Sequence, residues 1–135
     1  VVNASKQQGI LIMAPKITLT LERFVEWSKT QTALSATALR KPIAQVWHDS
    51  RKVGQDDIFV ALKTDTDDGH QYVADALEKG ALAAVVSKTA FGHYSAAVQK
   101  KLLVTSSPLK AVQRAAGAYR RELGTLVVGI TGSNG

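Results

Sequence analysis

Residues 58–62 (IFVAL) form an unbroken apolar run of strand length, and a strand of that kind is buried on both faces, which places it in the interior of a sheet. Short polar clusters flank it: Asp49, Ser50 and Arg51 before, and residues 64–70 (TDTDDGH) after. An interior strand carrying two loops rich in hydroxyls and carboxylates is a scaffold for a small-ligand site. The remainder of the chain is expected to serve the stretch from 49 to 80.

A chain of 135 residues has room for one domain with a real core and too little for two. Lys and Arg outnumber Asp and Glu by 17 to 11, a net charge of +6. The basic residues are scattered, so a solvated surface accounts for most of them, while the balance still favours anionic ligands such as a nucleoside diphosphate. A basic nucleic-acid-binding α/β module is the competing reading of that charge, but no basic stripe or base-stacking aromatic platform accompanies it, and no nucleic acid is expected as a partner. The absence of cysteine removes disulfides and thiolate metal sites and fits a reducing compartment. No apolar stretch reaches the length of a membrane span, so no membrane insertion is expected. The opening VVNASKQQGILI is too short in its apolar part for a secretory signal. Met13 opens a Met-Ala-Pro that looks like a natural start, and residues 1–12 are expected to be an added or upstream extension outside the fold.

In chain order, residues 19–30 read as an amphipathic helix capped by Thr20, with Leu21, Phe24, Val25 and Ser28 on one face. Residues 31–42 lack periodicity and read as a loop. Residues 43–48 (IAQVWH) alternate as a half-buried strand does and lead into the Asp49 cluster. Asp68 is placed to cap a helix with Tyr72, Val73, Ala76 and Leu77 as its apolar positions, and Gly80 is placed to stop it. Residues 82–87 form a buried strand, 91–101 a weaker helix and 102–105 a short strand. Ser107 before Pro108 starts a further helix, because the hydroxyl caps and proline needs no N–H in the first turn. Leu109, Val112, Ala116, Tyr119 and Leu123 are its expected buried face, and residues 126–130 (LVVGI) a last buried strand. This alternation predicts an α/β three-layer sandwich, a mainly parallel sheet with helices on both faces.

The chain closes on VVGITGSNG, a glycine-rich turn directly after a strand, where backbone N–H groups converge on phosphate oxygens. As a bare pattern it is short of the phosphate-loop signature, since Ile130 stands at the first glycine position and no lysine follows. An unrelated phosphate-loop nucleotide hydrolase therefore stays open on the pattern alone. Taken with the Asp-Ser-Arg at 49–51, the IFVAL strand, the Asp-Gly-His at 68–70 and the GALAAVVS segment from Gly80, the set resembles the Mur ligase family, in the order that family shows. The resemblance covers about residues 46–135, and it implies a nucleotide-substrate domain at 13–125 and the start of an ATP-binding domain at 126–135.

The resemblance implies a cytoplasmic enzyme of peptidoglycan assembly that uses ATP and Mg²⁺ to join an amino acid or dipeptide to a UDP-N-acetylmuramoyl peptide. The substrate carboxylate is phosphorylated, the incoming amine attacks the acyl phosphate, and phosphate leaves. Carried onto this sequence, the uridine diphosphate contacts fall at His48, Ser50, Asp65, Thr66 and Asp67, and the partial ATP loop at Thr131, Gly132, Ser133, Asn134 and Gly135. Ser133 resembles the members that add D-alanyl-D-alanine to the tripeptide, whereas members that add the third residue more often carry threonine there. Lacking the loop lysine, Mg²⁺ ligands and an acceptor domain, these 135 residues are expected to bind the nucleotide end without catalysing alone and to hold no cofactor stably. Asp49 and Arg51 are better explained as a structural pair, Asp68 as a cap, His93 as surface and His70 as packing at a helix start. Where the family has glycine before the uridine turn, this chain has Lys63 and Thr64, and two acids, Asp65 and Asp67, then fall near an anionic ligand. Either the turn has another shape, or the carboxylates point away.

Overall fold

The computed structural model describes residues 11–13 and 18–123. The strand expected at 126–130 and the loop from Thr131 to Gly135 lie outside the described residues. The elements are β1 (Leu11–Met13), α1 (Leu21–Ser28), α2 (Ala36–Leu39), β2 (Val46–Trp47), β3 (Ile58–Val60), α3 (Val73–Glu78), β4 (Ala83–Ser87), α4 (Ala96–Gln99), β5 (Leu102–Thr105) and α5 (Pro108–Leu123). Short 3-10 turns at Ser50–Lys52, Gly69–Tyr72 and Lys88–His93 link them.

The sheet runs β1-β2-β3-β4-β5, with β2 to β5 parallel and β1 antiparallel at the edge. Parallel strands laid down in sequence order require successive right-handed crossovers to fall on the same face. The side chains agree. Phe59, Ala61, Ala84, Val86 and Leu102 point to a face covered by Val73 and Ala76 of α3, with Phe91, Tyr94 and Val98 of the β4–β5 crossover beside them. Their strand neighbours Ile58, Val60, Ala83, Val85 and Leu103 point to the opposite face, as the two-residue period of a strand demands. There they meet Leu21 and Phe24 of α1 and Ala111, Val112, Ala115 and Tyr119 of α5. The result is the expected α/β sandwich, with IFVAL at its interior.

Local chemistry sets the ends of these elements. Thr20 caps α1 by accepting from Arg23 N, and Ser107 caps α5 by accepting from Lys110 N. Gly80 turns the chain after α3 at φ +111°, where a Cβ would lie 2.8 Å from Gln55 Oε1. The two helices on the shared face are stitched together by Arg114, whose Nε and Nη2 both donate to Ser28 O, at 3.1 and 2.7 Å. Arg23 adds a cation–π contact 4.8 Å from the Trp27 ring and an ion pair with Glu122.

Three expectations change. Residues 11 and 12 are not outside the fold, because Leu11–Met13 pairs with Trp47 and Val46 and completes the β2 edge. The 31–42 segment holds a turn of helix at Ala36–Leu39, capped by Ser35, and Gln31 exchanges two backbone hydrogen bonds with Val104 that cover the outer edge of β5. Finally, Leu109 is 50% exposed. Val112 and Tyr119 are buried as expected, the stripe also takes in Ala111 and Ala115, whose small side chains fit it against the sheet, and Leu109 stands free in the first turn.

Candidate functional site

The carboxyl ends of β2 to β5 all point the same way, so the loops that follow them share one edge of the sheet, where open parallel sheets take their ligands. After β2, Asp49 closes a small ring with Arg51. Its Oδ1 accepts from Arg51 N and Nε, both at 2.9 Å, and its Oδ2 from Nη2 at 2.7 Å. The Arg51 guanidinium holds the Asp49 carboxyl down at about 2. Ser50 offers its carbonyl to Lys79 Nζ at 2.9 Å. Asp57, buried below this loop, accepts from Gln45 N and Gly54 N, and burial pushes its carboxyl up.

A pH consequence follows for Asp49. Its folded value is depressed, so its contribution to stability is complete above the ordinary 3.8 and is lost as pH falls towards about 2. Asp49→Asn is expected to flatten the acid limb of stability over that interval, read as the pH dependence of the urea midpoint. An acid limb as steep as the parent's would count against the pair.

After β3, Thr64 N donates to Asp67 O at 2.8 Å, closing a tight turn that leaves Asp65 and Thr66 at its exposed tip. Asp67 Oδ1 is engaged by its own loop, accepting from Asp68 N at 2.9 Å, Gln71 Nε2 at 2.8 Å and Tyr72 OH at 3.2 Å. His48, Ser50 Oγ, Asp65 and Thr66 make no side-chain hydrogen bond among the described residues, which leaves their polar atoms available.

Asp68 behaves as the expected cap, accepting from His70 N. The His70 ring lies between Asp68 Oδ1, 2.7 Å from Nδ1, and Ser87 N, 3.0 Å from Nε2. Tyr94 OH donates to His70 O at 2.8 Å, and burial pushes the Tyr94 phenol up to about 12. His93 is exposed.

A cleft of about 910 Å³ opens along the ends of β3, β4 and β5, with Leu62, Lys63, His70, Thr89, Ser107 and Leu109 among its walls. It reaches Thr64 but takes in none of His48, Ser50, Asp65, Thr66 and Asp67. The predicted cluster and the cleft are thus neighbours along one edge. Sequence reasoning missed the cleft, although its signal was present: three strands in parallel bring the hydroxyls of Ser87, Thr89, Ser106 and Ser107 to the same end. Among the described residues no group of three His, Asp or Glu side chains is placed to hold a metal ion, and no helix is long and apolar enough to cross a membrane.

Residues 42–120 match the family described as Mur ligase family, catalytic domain. The UDP-N-acetylmuramoyl-tripeptide–D-alanyl-D-alanine ligase of Bacillus subtilis (strain 168) is 37% identical over 87 residues, which cover 64% of this chain and 18% of that protein. The UDP-N-acetylmuramoyl-L-alanyl-D-glutamate–2,6-diaminopimelate ligase of Janthinobacterium sp. (strain Marseille) is 34% identical over 112 residues, 78% of this chain and 22% of that one. A crystal structure of MurF from Acinetobacter baumannii matches with a TM-score of 0.62 at 23% identity, over 82% of this chain and 22% of that chain, a likeness of fold. This chain spans about a fifth of the length of these relatives.

Proposed function

The chain belongs to the Mur ligase family, and from that premise we propose that it is the nucleotide-substrate portion of an ATP-dependent, amide-forming ligase that adds D-alanyl-D-alanine to UDP-N-acetylmuramoyl-tripeptide. Its part is to hold the uridine diphosphate end through His48, Ser50 and the turn carrying Asp65, Thr66 and Asp67. ATP, Mg²⁺ and the D-alanyl-D-alanine acceptor are handled by other parts of the enzyme, with Thr131 to Gly135 contributing to the ATP loop. The observation that supports this reading is the placing of two polar loops at the carboxyl ends of adjacent parallel strands, β2 and β3, with the Ser50 and Thr66 hydroxyls left without partners among the described residues. Such groups suit the donors and acceptors on the edge of a uracil ring and a ribose. Asp67 contributes shape, because its carboxylate is already taken by Tyr72 and Gln71.

Calorimetric titration with UDP and with UDP-N-acetylmuramoyl-tripeptide tests the reading. Saturable heat is expected with both, and Ser50→Ala is expected to weaken UDP binding about 3- to 10-fold, the worth of one net hydrogen bond. A folded protein that gives heat with neither ligand would overturn the assignment. The similarity to the diaminopimelate-adding ligase supports a second reading, in which the enzyme adds the third residue to UDP-N-acetylmuramoyl-dipeptide. Assaying the full-length enzyme with each amine separates the two.

A further inference from the structure

His70 follows an aspartate and a glycine at the end of the turn after β3, and with Asp68 beside it the arrangement has the look of an acid–base relay. The hydrogen bonds say otherwise. Ser87 N is a backbone donor and points at Nε2 from 3.0 Å, so Nε2 must offer its lone pair. The ring proton is then on Nδ1, donated to Asp68 Oδ1 at 2.7 Å. With both nitrogens engaged, the ring has neither a free base nor a nucleophile to activate.

Its position in the sheet explains why the contact is there. Val85 O accepts from Ala61 N at 2.9 Å, and two residues further along β4 the Ser87 N–H points to the same side of the strand. The next rung of the β3–β4 ladder would run from Ser87 N to Ala61 O, but the chain leaves the sheet there and turns back, so that Gly69 N donates to Leu62 O at 2.8 Å. The His70 imidazole occupies the vacated acceptor position. Asp68 lies between that anchor and the 64–67 turn: it pairs with Lys63 across the base of the turn, and its N–H donates to Asp67 Oδ1. Tyr94, from the β4–β5 crossover, holds the His70 carbonyl on the other side.

We propose that His70 is a positioning residue, held as the neutral Nδ1–H tautomer, which fixes the 64–67 turn against the end of β4 and thereby sets the shape of the nucleotide site. The proposal rests on the uridine diphosphate reading for its ligand but not for its geometry. A second proton on the ring would set Nε2–H against Ser87 N–H, two donors face to face, and release the turn from β4. The charged and titratable groups around the ring are Asp68 from its own segment, Lys63 from the far leg of the turn, Tyr94 from the β4–β5 crossover and the exposed His93 across the cleft.

Two substitutions separate the two contacts. In His70→Gln the side-chain oxygen reaches about as far as Nε2 and keeps an acceptor for Ser87 N–H. In His70→Asn the shorter amide keeps a donor for Asp68 and leaves Ser87 N–H unpaired. Nitrogen-15 spectra of the full chain should show a protonated Nδ1 and a bare Nε2 at about pH 8. The Ser87 amide should be protected from exchange in the parent and in His70→Gln, and exchange at least tenfold faster in His70→Asn. UDP affinity of His70→Gln should stay within about threefold of the parent's, and that of His70→Asn should fall about tenfold. An Nε2–H tautomer, or equal Ser87 exchange in the two variants, would overturn the proposal whatever UDP does. Absence of UDP binding with the tautomer and exchange pattern intact would instead sink the nucleotide reading and, with it, the link from His70 to the ligand.

Discussion

Phe59→Ala is expected to lower the unfolding free energy by about 3–5 kcal/mol. Phe59 is fully buried in the middle of β3, packed among Val73, Ala76, Ala84 and Leu102. Strand and helix backbones surround it on every side, so the walls have little freedom to collapse into the space that alanine would leave. Domains of this size are stable by about 5–15 kcal/mol in total, so the variant should lose a large part of its margin, with a drop in melting temperature of about 10–20 °C. Urea unfolding followed by circular dichroism measures it. A loss under about 1 kcal/mol would mean that β3 does not run through the core as described.

Gly69→Ala comes next in size and acts on fold and site together. A Cβ at Gly69 would lie 2.8 Å from Leu62 N, 3.0 Å from Leu62 O and 3.1 Å from Ala61 Cα. All three are backbone atoms at the end of β3, so no side chain can swing aside. The segment after the 64–67 turn must lift off the strand, breaking the 2.8 Å bond from Gly69 N to Leu62 O and dragging Asp68 and His70 with it. The expected cost is about 1–3 kcal/mol, together with a loss of UDP affinity larger than that of Ser50→Ala. Gly92→Ala is the control, because a Cβ there meets nothing within 4 Å. It should leave stability within about 0.5 kcal/mol of the parent. Equal effects at the two glycines would refute the close crossing at Gly69.

Much of the fold was legible because buried parallel strands are written as apolar runs. IFVAL, the strand after Gly80 and residues 102–105 stand where the sequence places them, and the caps at Thr20, Asp68 and Ser107 follow from side chains that satisfy orphan N–H groups. What stayed hidden depends on partners distant in sequence. The β1 strand exists because β2 has an open edge. The exposed Leu109 reflects a helix seated on alanines, a feature that periodicity of large side chains misplaces. The site was half legible: the polar loops around Ser50 and Thr66 stood out as composition, and Asp49, Arg51 and Asp68 took the structural roles expected of them. The fate of Asp67 could not be read, since Tyr72 reaches it only through the path of the 3-10 turn. The cleft went unread although the hydroxyls of Ser87, Thr89, Ser106 and Ser107 were in view, because joining them takes the order of the strands.

The placement of α1 and α5 together on one face of the sheet has a temporal consequence. The crossovers can cover the opposite face as each strand is added, but the first face is covered only in part by α1 until α5 arrives to meet it. The Arg114 bond to Ser28, spanning 86 positions, marks that meeting. During synthesis, then, part of the apolar surface on β3 and β4 waits uncovered until α5 has emerged, and chaperone engagement should end only once Tyr119 has cleared the ribosome.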